Sequence, residues 1–119
     1  MTMNVAATDA LPHFAMGGLT LRPFAGEQLM LLRVTGGAGA EAPRHSHPHE
    51  QMSLVISGRV LFWLAGEERE LGPGEAVHIP GGTEHGAKFL EESLLFDLYH
   101  PVREDMLARV RPHAGGASR

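Results

Sequence analysis

Glycine and proline cut this chain into runs too short for anything but β-strands. Leu19-Thr20-Leu21-Arg22, Gln28 to Val34, Met52 to Ile56, Arg59 to Leu64, Ala76 to Pro80 and Ser93 to Tyr99 are each bounded by turn-forming residues. Pro23 to Gly26 separates the first two, Thr35 to Ala40 is a flexible connection, and Ala65-Gly66-Glu67-Glu68 reads as a hairpin tip. With Leu71 to Glu75 as a tight turn and Gly81 to Glu84 leading into His85, the pattern predicts seven or more short strands. Such a chain folds as an all-β sandwich or small barrel. Residues 1–15 read as an N-terminal arm able to add an edge strand, 16–110 as the barrel, and the Gly/Ala-rich stretch 111–119 as a disordered tail. One short C-terminal helix is predicted over Val102 to Val110, with Met106 and Leu107 as its apolar contacts.

A chain of 119 residues has room for one modest core. Its net charge of −4 and its scattered basic residues exclude a nucleic-acid surface. The lack of cysteine removes disulfides, thiolate metal sites and cysteine nucleophiles together. No basic leader and no long apolar segment point to a membrane, so a cytoplasmic protein is expected. A homodimer is expected too, because strands such as Leu29 to Val34 and Leu94 to Leu98 would otherwise leave open edges.

The chemistry is concentrated in Arg44-His45-Ser46-His47-Pro48-His49-Glu50-Gln51, which runs directly into the apolar stretch Met52 to Ile56. Side chains alternate faces along a strand, so His45, His47, His49, Gln51 and Ser53 share one face and Glu50 takes the other. His45, His47 and Gln51 are then expected to converge on a divalent metal, imidazole being a good ligand for several transition ions. Glu50 competes with Gln51 as the third ligand, and His49 is a candidate second-layer or entrance residue. His85, following a Gly-Gly turn, would on its own be a turn residue. Trp63 and Phe62 are expected to pack the sheet. His13, His78, His100 and His113 have no spacing that recruits them, and Arg44 reads as a surface residue.

Asp97 lies inside the apolar run Leu95 to Tyr99, where a carboxylate is costly to bury unless it is paired or functional. One reading pairs it with a neighbour such as Arg103 as a structural ion pair. The other puts Asp97 at the barrel mouth as a catalytic acid or base, with Arg103 holding a substrate carboxylate.

Two spacings resemble the cupin motifs. Gly39, His45-x-His47, Gln51 and Gly58 fall where the first motif has its glycines and ligands, with Gln in the place usually held by Glu. Gly74, Pro80-x-Gly82 and His85 match the second, which normally ends in Asn where this chain has Phe89. The resemblance implies a double-stranded β-helix, or jelly roll, and makes His85 the fourth ligand beside His45, His47 and Gln51. The metal would be a single divalent transition ion such as Zn, Ni, Mn or Fe. Three imidazoles and a neutral amide leave its charge uncompensated, which favours an anionic or enolate-like oxygen.

The ending Asp97, Tyr99, Pro101, Arg103, Asp105 is similar to that of the KdgF-like cupins, with Tyr99 in place of Phe. Those proteins open the ring of 4,5-unsaturated monouronates. The resemblance implies proton transfer by Asp97, carboxylate recognition by Arg103 and a pocket lined by Tyr99. The expected partner is therefore a small, anionic substrate. A cupin dioxygenase and a metal-bearing binding module without turnover are the alternatives.

Overall fold

A computed structural model describes residues 2–111. Ten strands follow in order: β1 (Phe14–Met16), β2 (Leu19–Ala25), β3 (Met30–Gly36), β4 (Glu41–His45), β5 (Glu50–Ser57), β6 (Val60–Leu64), β7 (Glu67–Leu71), β8 (Ala76–Ile79), β9 (His85–Phe89) and β10 (Ser93–His100). A single α-helix, α1 (Glu104–Val110), closes the described chain. The strands form a six-stranded sheet, β1-β2-β3-β10-β5-β8, and a four-stranded sheet, β4-β9-β6-β7, with every pairing antiparallel. The two layers enclose one apolar core in a jelly-roll barrel. No helix among the described residues is long and apolar enough to cross a membrane.

Alternation decides which side chains face inward. In β10, Ser93, Leu95, Asp97 and Tyr99 are buried while Leu98 and His100 are exposed. In β5, Gln51, Ser53 and Val55 are buried, and Met52, Leu54 and Ile56 stand in solvent. Although the run Met52 to Ile56 is apolar apart from Ser53, only its inner residues Ser53 and Val55 reach the core.

Several elements differ from the sequence reading, three of them for a local reason. β2 runs through Pro23 to Ala25, because β1 covers only Leu19 to Leu21 and leaves a one-sided stretch that tolerates a residue without an N–H. Ala65 and Gly66 both have positive φ, 50° and 86°, which makes a two-residue hairpin turn and puts Glu67 and Glu68 into β7. The helix begins at Glu104, not Val102, since Val102 and Arg103 are buried as the chain crosses the barrel end. Met106 is buried and Leu107 half-buried, as expected.

The arm contributes an edge strand through β1, with Phe14 buried in the core. Beyond Arg111 the expected tail, with His113, lies outside the described residues. Phe62 packs inward, whereas Trp63 lies half-buried on the outer side, its Nε1–H donating to Glu68 and its ring under Arg44 at 5.3 Å.

Candidate metal centre

The histidine cluster is not one strand face. β4 and β5 belong to different sheets, and the chain crosses between them at residues 46–49. His45 hangs from the end of β4, His47 from the crossing, Gln51 from β5 and His85 from the start of β9. His45 and His85 are register partners across β4 and β9, with ring centroids 4.4 Å apart. His47 lies 4.7 Å from His85 and 5.4 Å from His45. One ring nitrogen from each of the three lies within 4.8 Å of the others, so they could hold a metal ion.

The crossing is held from the opposite loop. The N–H of Gly82 donates to the His47 carbonyl at 2.7 Å, and a Cβ on Gly81 would lie 2.3 Å from the Pro48 carbonyl oxygen. Only glycine permits that approach.

Each ring is oriented by its other nitrogen. The Nδ1–H groups of His45, His47 and His85 donate to the carbonyls of Pro43, His49 and Thr83 at 2.8, 3.1 and 2.8 Å. That leaves all three Nε2 atoms as lone-pair donors turned to a common point, the arrangement metal-binding histidines need. Nε2 of His85 is buried with no hydrogen-bond partner. Nε2 of His47 faces Oε1 of Gln51 at 3.0 Å. A neutral His47 has one N–H for two oxygen neighbours, so two lone pairs face each other on one side of its ring unless a cation accepts both. The donor set therefore fits a divalent ion. Burial, then the charge of Arg103 and the nearby His85, lowers the His47 pKa to about 4, and burial lowers that of His85. Both rings stay neutral and ready to ligate at neutral pH.

Glu50 is exposed and takes the Nε2–H of His78 at 2.7 Å on the outer surface, away from the cluster. His49 supplies its backbone carbonyl to His47, and its ring packs edge-on against that of His47 at 5.5 Å. His13, His78 and His100 are all exposed.

Below the histidines lies a buried polar chain. The Gln51 Nε2–H donates to Ser53 Oγ at 3.0 Å, Ser53 Oγ–H to Asp97 Oδ1 at 2.5 Å, and the Tyr99 hydroxyl to Asp97 Oδ2 at 3.1 Å. Burial pushes the Asp97 carboxyl up to about 6, against the donors around it, and pushes the Tyr99 hydroxyl well above its usual range. Tyr99, expected to line the substrate pocket, is only 3% exposed and spends its hydroxyl on Asp97, which phenylalanine could not do. Parity puts Ser53 on the face of Gln51 without giving it a role; its partner Asp97 is brought beside it only by the β5–β10 register.

Arg103 does not pair with Asp97. Its Nε–H and Nη2–H donate to Asp105 at 3.1 and 2.8 Å, its guanidinium sits 5.1 Å from the Tyr99 ring centre, and its buried Nη1 has no partner. The fork expected to grip a substrate is thus spent on Asp105, and Nη1 is the one guanidinium nitrogen without a partner. Arg103 and His45 line a groove at the barrel end, with Phe14, Asp105 and Arg109 beside them.

The metal-free protein has a testable acid response. Protonation of His47 and His85 is resisted in the fold, so their contribution to stability is lost as pH falls from 6.5 towards 4. Asp97 acts in the opposite sense: its contribution is present below its ordinary value of 3.8 and is lost as pH rises through about 6. Asp97→Asn removes this offset. Between pH 6.5 and 4.5 the chelated variant should lose about 2 kcal/mol more stability than chelated wild type, read by urea unfolding. Equal losses would show that Asp97 does not titrate in this range.

The sequence profile described as "Cupin domain" matches residues 32–95, just over half of the chain. KdgF from Halomonas sp. is 34% identical and superposes with a TM-score of 0.81 over 88% of this chain and 99% of that one. An RmlC-like cupin from Shewanella frigidimarina is 26% identical, with a TM-score of 0.81 over 87% and 96%. Dimethylsulfoniopropionate lyase DddQ of Ruegeria pomeroyi is 36% identical over 67 residues, which are 56% of this chain and 33% of the lyase. The chain thus spans about a third of that curated relative. With the motif histidines brought together inside a two-sheet barrel and the domain profile covering their strands, this chain belongs to the cupin family.

Proposed function

We propose that the protein is a metal-dependent isomerase that opens the ring of an unsaturated uronate or a similar acidic sugar derivative. The observation that carries this reading is the placement of two groups about the histidine cluster. A buried carboxylate, Asp97, lines the lumen beneath it, and Arg103, whose buried Nη1 has no partner, lines the groove beside it. The full-length likeness to KdgF supports the same reading.

In this proposal His45, His47, Gln51 and His85 hold one divalent transition ion, which when bound supplies a Lewis acid for a substrate oxygen. Arg103 orients the substrate carboxylate from the groove wall, and its unpartnered Nη1, buried in the free protein, is uncovered as the substrate enters. Asp97, its pKa raised to about 6 by burial, takes the proton from the ring hydroxyl and returns one to the carbon of the double bond. Ring opening of this kind is an isomerisation and consumes no oxidant. The test is metal-loaded protein with a 4,5-unsaturated monouronate, followed by proton NMR together with oxygen uptake. Loss of the vinyl proton with no oxygen consumed is expected. Oxygen uptake would point to a dioxygenase, and a melting shift without product to a binding module.

Arg103→Lys should raise KM by roughly ten- to a hundredfold and leave kcat within about threefold. A lysine has one charge centre and must choose between Asp105 and the substrate. A fall confined to kcat would remove Arg103 from carboxylate binding.

The dimer is proposed on a different basis from open edges. β3 and β10 are interior strands, and the six-stranded sheet ends at β1 and β8. Its outer face instead exposes Met52, Leu54, Ile56 and Leu98, at 49, 38, 44 and 46%. An apolar patch in the middle of a sheet is a natural self-contact. Leu54→Lys should convert a dimer mass to a monomer mass in light scattering at micromolar concentration. A wild type that is already monomeric would refute the contact.

A further inference from the structure

Ser53 has no part in the function proposed above, yet it is fully buried in the middle of the polar chain. Asp97, as a carboxylate, can only accept, so the single hydroxyl proton of Ser53 is committed to Asp97 Oδ1 at 2.5 Å. Ser53 Oγ then has only lone pairs to offer residue 51. At 3.0 Å in a buried site, only a donor is tolerated there. The amide of Gln51 supplies it, and this turns Oε1 the other way, to within 3.0 Å of His47 Nε2. Glutamate at 51 would set two carboxylates competing for one hydroxyl proton.

We infer that Ser53 is a positioning residue that fixes the direction of this chain: it requires an amide at position 51 and aims the amide oxygen into the histidine cluster. The aiming rests on the metal reading above. The direction of the chain is a property of the protein alone.

The direction is tested by melting the chelated protein at pH 8 as wild type, Gln51→Glu, Asp97→Asn and the double variant. Gln51→Glu should lower Tm by about 5–10 °C. Adding Asp97→Asn should restore much of that loss, because the new amide at 97 donates to Ser53 and frees its proton for Glu at 51, reversing the chain. Contacting residues that share a network are expected to be non-additive in this way. Additive losses, with the double variant below both singles, would overturn the inference. If Gln51→Glu does not fold, recovery of folded protein in the double variant supports the chain direction, and continued failure overturns it.

The aiming is tested with Ser53→Ala, a small deletion that leaves every histidine in place. Its zinc affinity, measured by competition with a chromophoric chelator, should fall about 10–100-fold, as when other outer partners of metal ligands are removed. Unchanged affinity would overturn the aiming. Wild type that binds no zinc would overturn the metal reading and the aiming with it, leaving the chain direction to be judged by the melting cycle alone.

Discussion

Asp97→Asn should lower turnover by about two to four orders of magnitude on any substrate the wild type converts. Asparagine keeps the shape and can still accept from the Tyr99 hydroxyl, but it cannot take up a proton. It does cost stability. Its amide donates to Ser53, which already accepts from Gln51, so the hydroxyl proton of Ser53 loses its acceptor. That loss is worth roughly 1–3 kcal/mol for a buried group. Turnover must therefore be expressed per folded, metal-loaded chain. On that basis a purely supporting role for Asp97 leaves activity near wild type, and a proton-transfer role leaves it a hundredfold down or more.

His47→Ala should abolish metal binding and lower Tm by about 15 °C in metal-containing buffer. A ligand at a thousand times its Kd stabilises a fold by roughly 4 kcal/mol, and in a domain of this size each kilocalorie moves Tm by a few degrees. Chelator should lower wild-type Tm in the same direction and leave the variant unmoved. The contrast separates metal loss from the simple removal of a buried ring, which would lower Tm equally with and without chelator. If the variant keeps one metal per chain, His47 is not a ligand.

What could be read from the sequence was what alternation encodes. Gln51, Ser53 and Val55 on β5, and Leu95, Asp97 and Tyr99 on β10, all face inward as their parity requires. Strands that carry no apolar alternation were invisible. β7 is Glu67-Glu68-Arg69-Glu70-Leu71, with only Leu71 buried, and is a strand because it pairs with β6. β9, His85-Gly86-Ala87-Lys88-Phe89, has small residues at its centre because it runs between β4 and β6, where a Cβ on Gly86 would lie 3.1 Å from the Ala42 carbonyl.

The site shows the same division. His45 and His47 stand out by spacing, but the reason given for their convergence, a shared strand face, does not hold: they meet because the chain crosses between sheets. The pairing of His45 with His85 is a register forty residues apart, which no local pattern contains. Parity puts Glu50, the competitor of Gln51, on the opposite face, and its exposed pairing with His78 lies on that side. Arg103 was expected to be either Asp97's partner or the substrate's. It is held by Asp105, two residues along the chain, and this depends on how the chain turns into α1.

One measurement bears most directly on the metal centre at the heart of this mechanism. The wild-type chain, expressed without metal supplementation and purified without chelator or a metal-affinity column, should carry close to one equivalent of a divalent transition ion by plasma mass spectrometry. His45→Ala and His85→Ala, prepared in the same way, should carry little. Wild type with only trace metal, and with a Tm that neither chelator nor added zinc, nickel, manganese or iron changes, would contradict it.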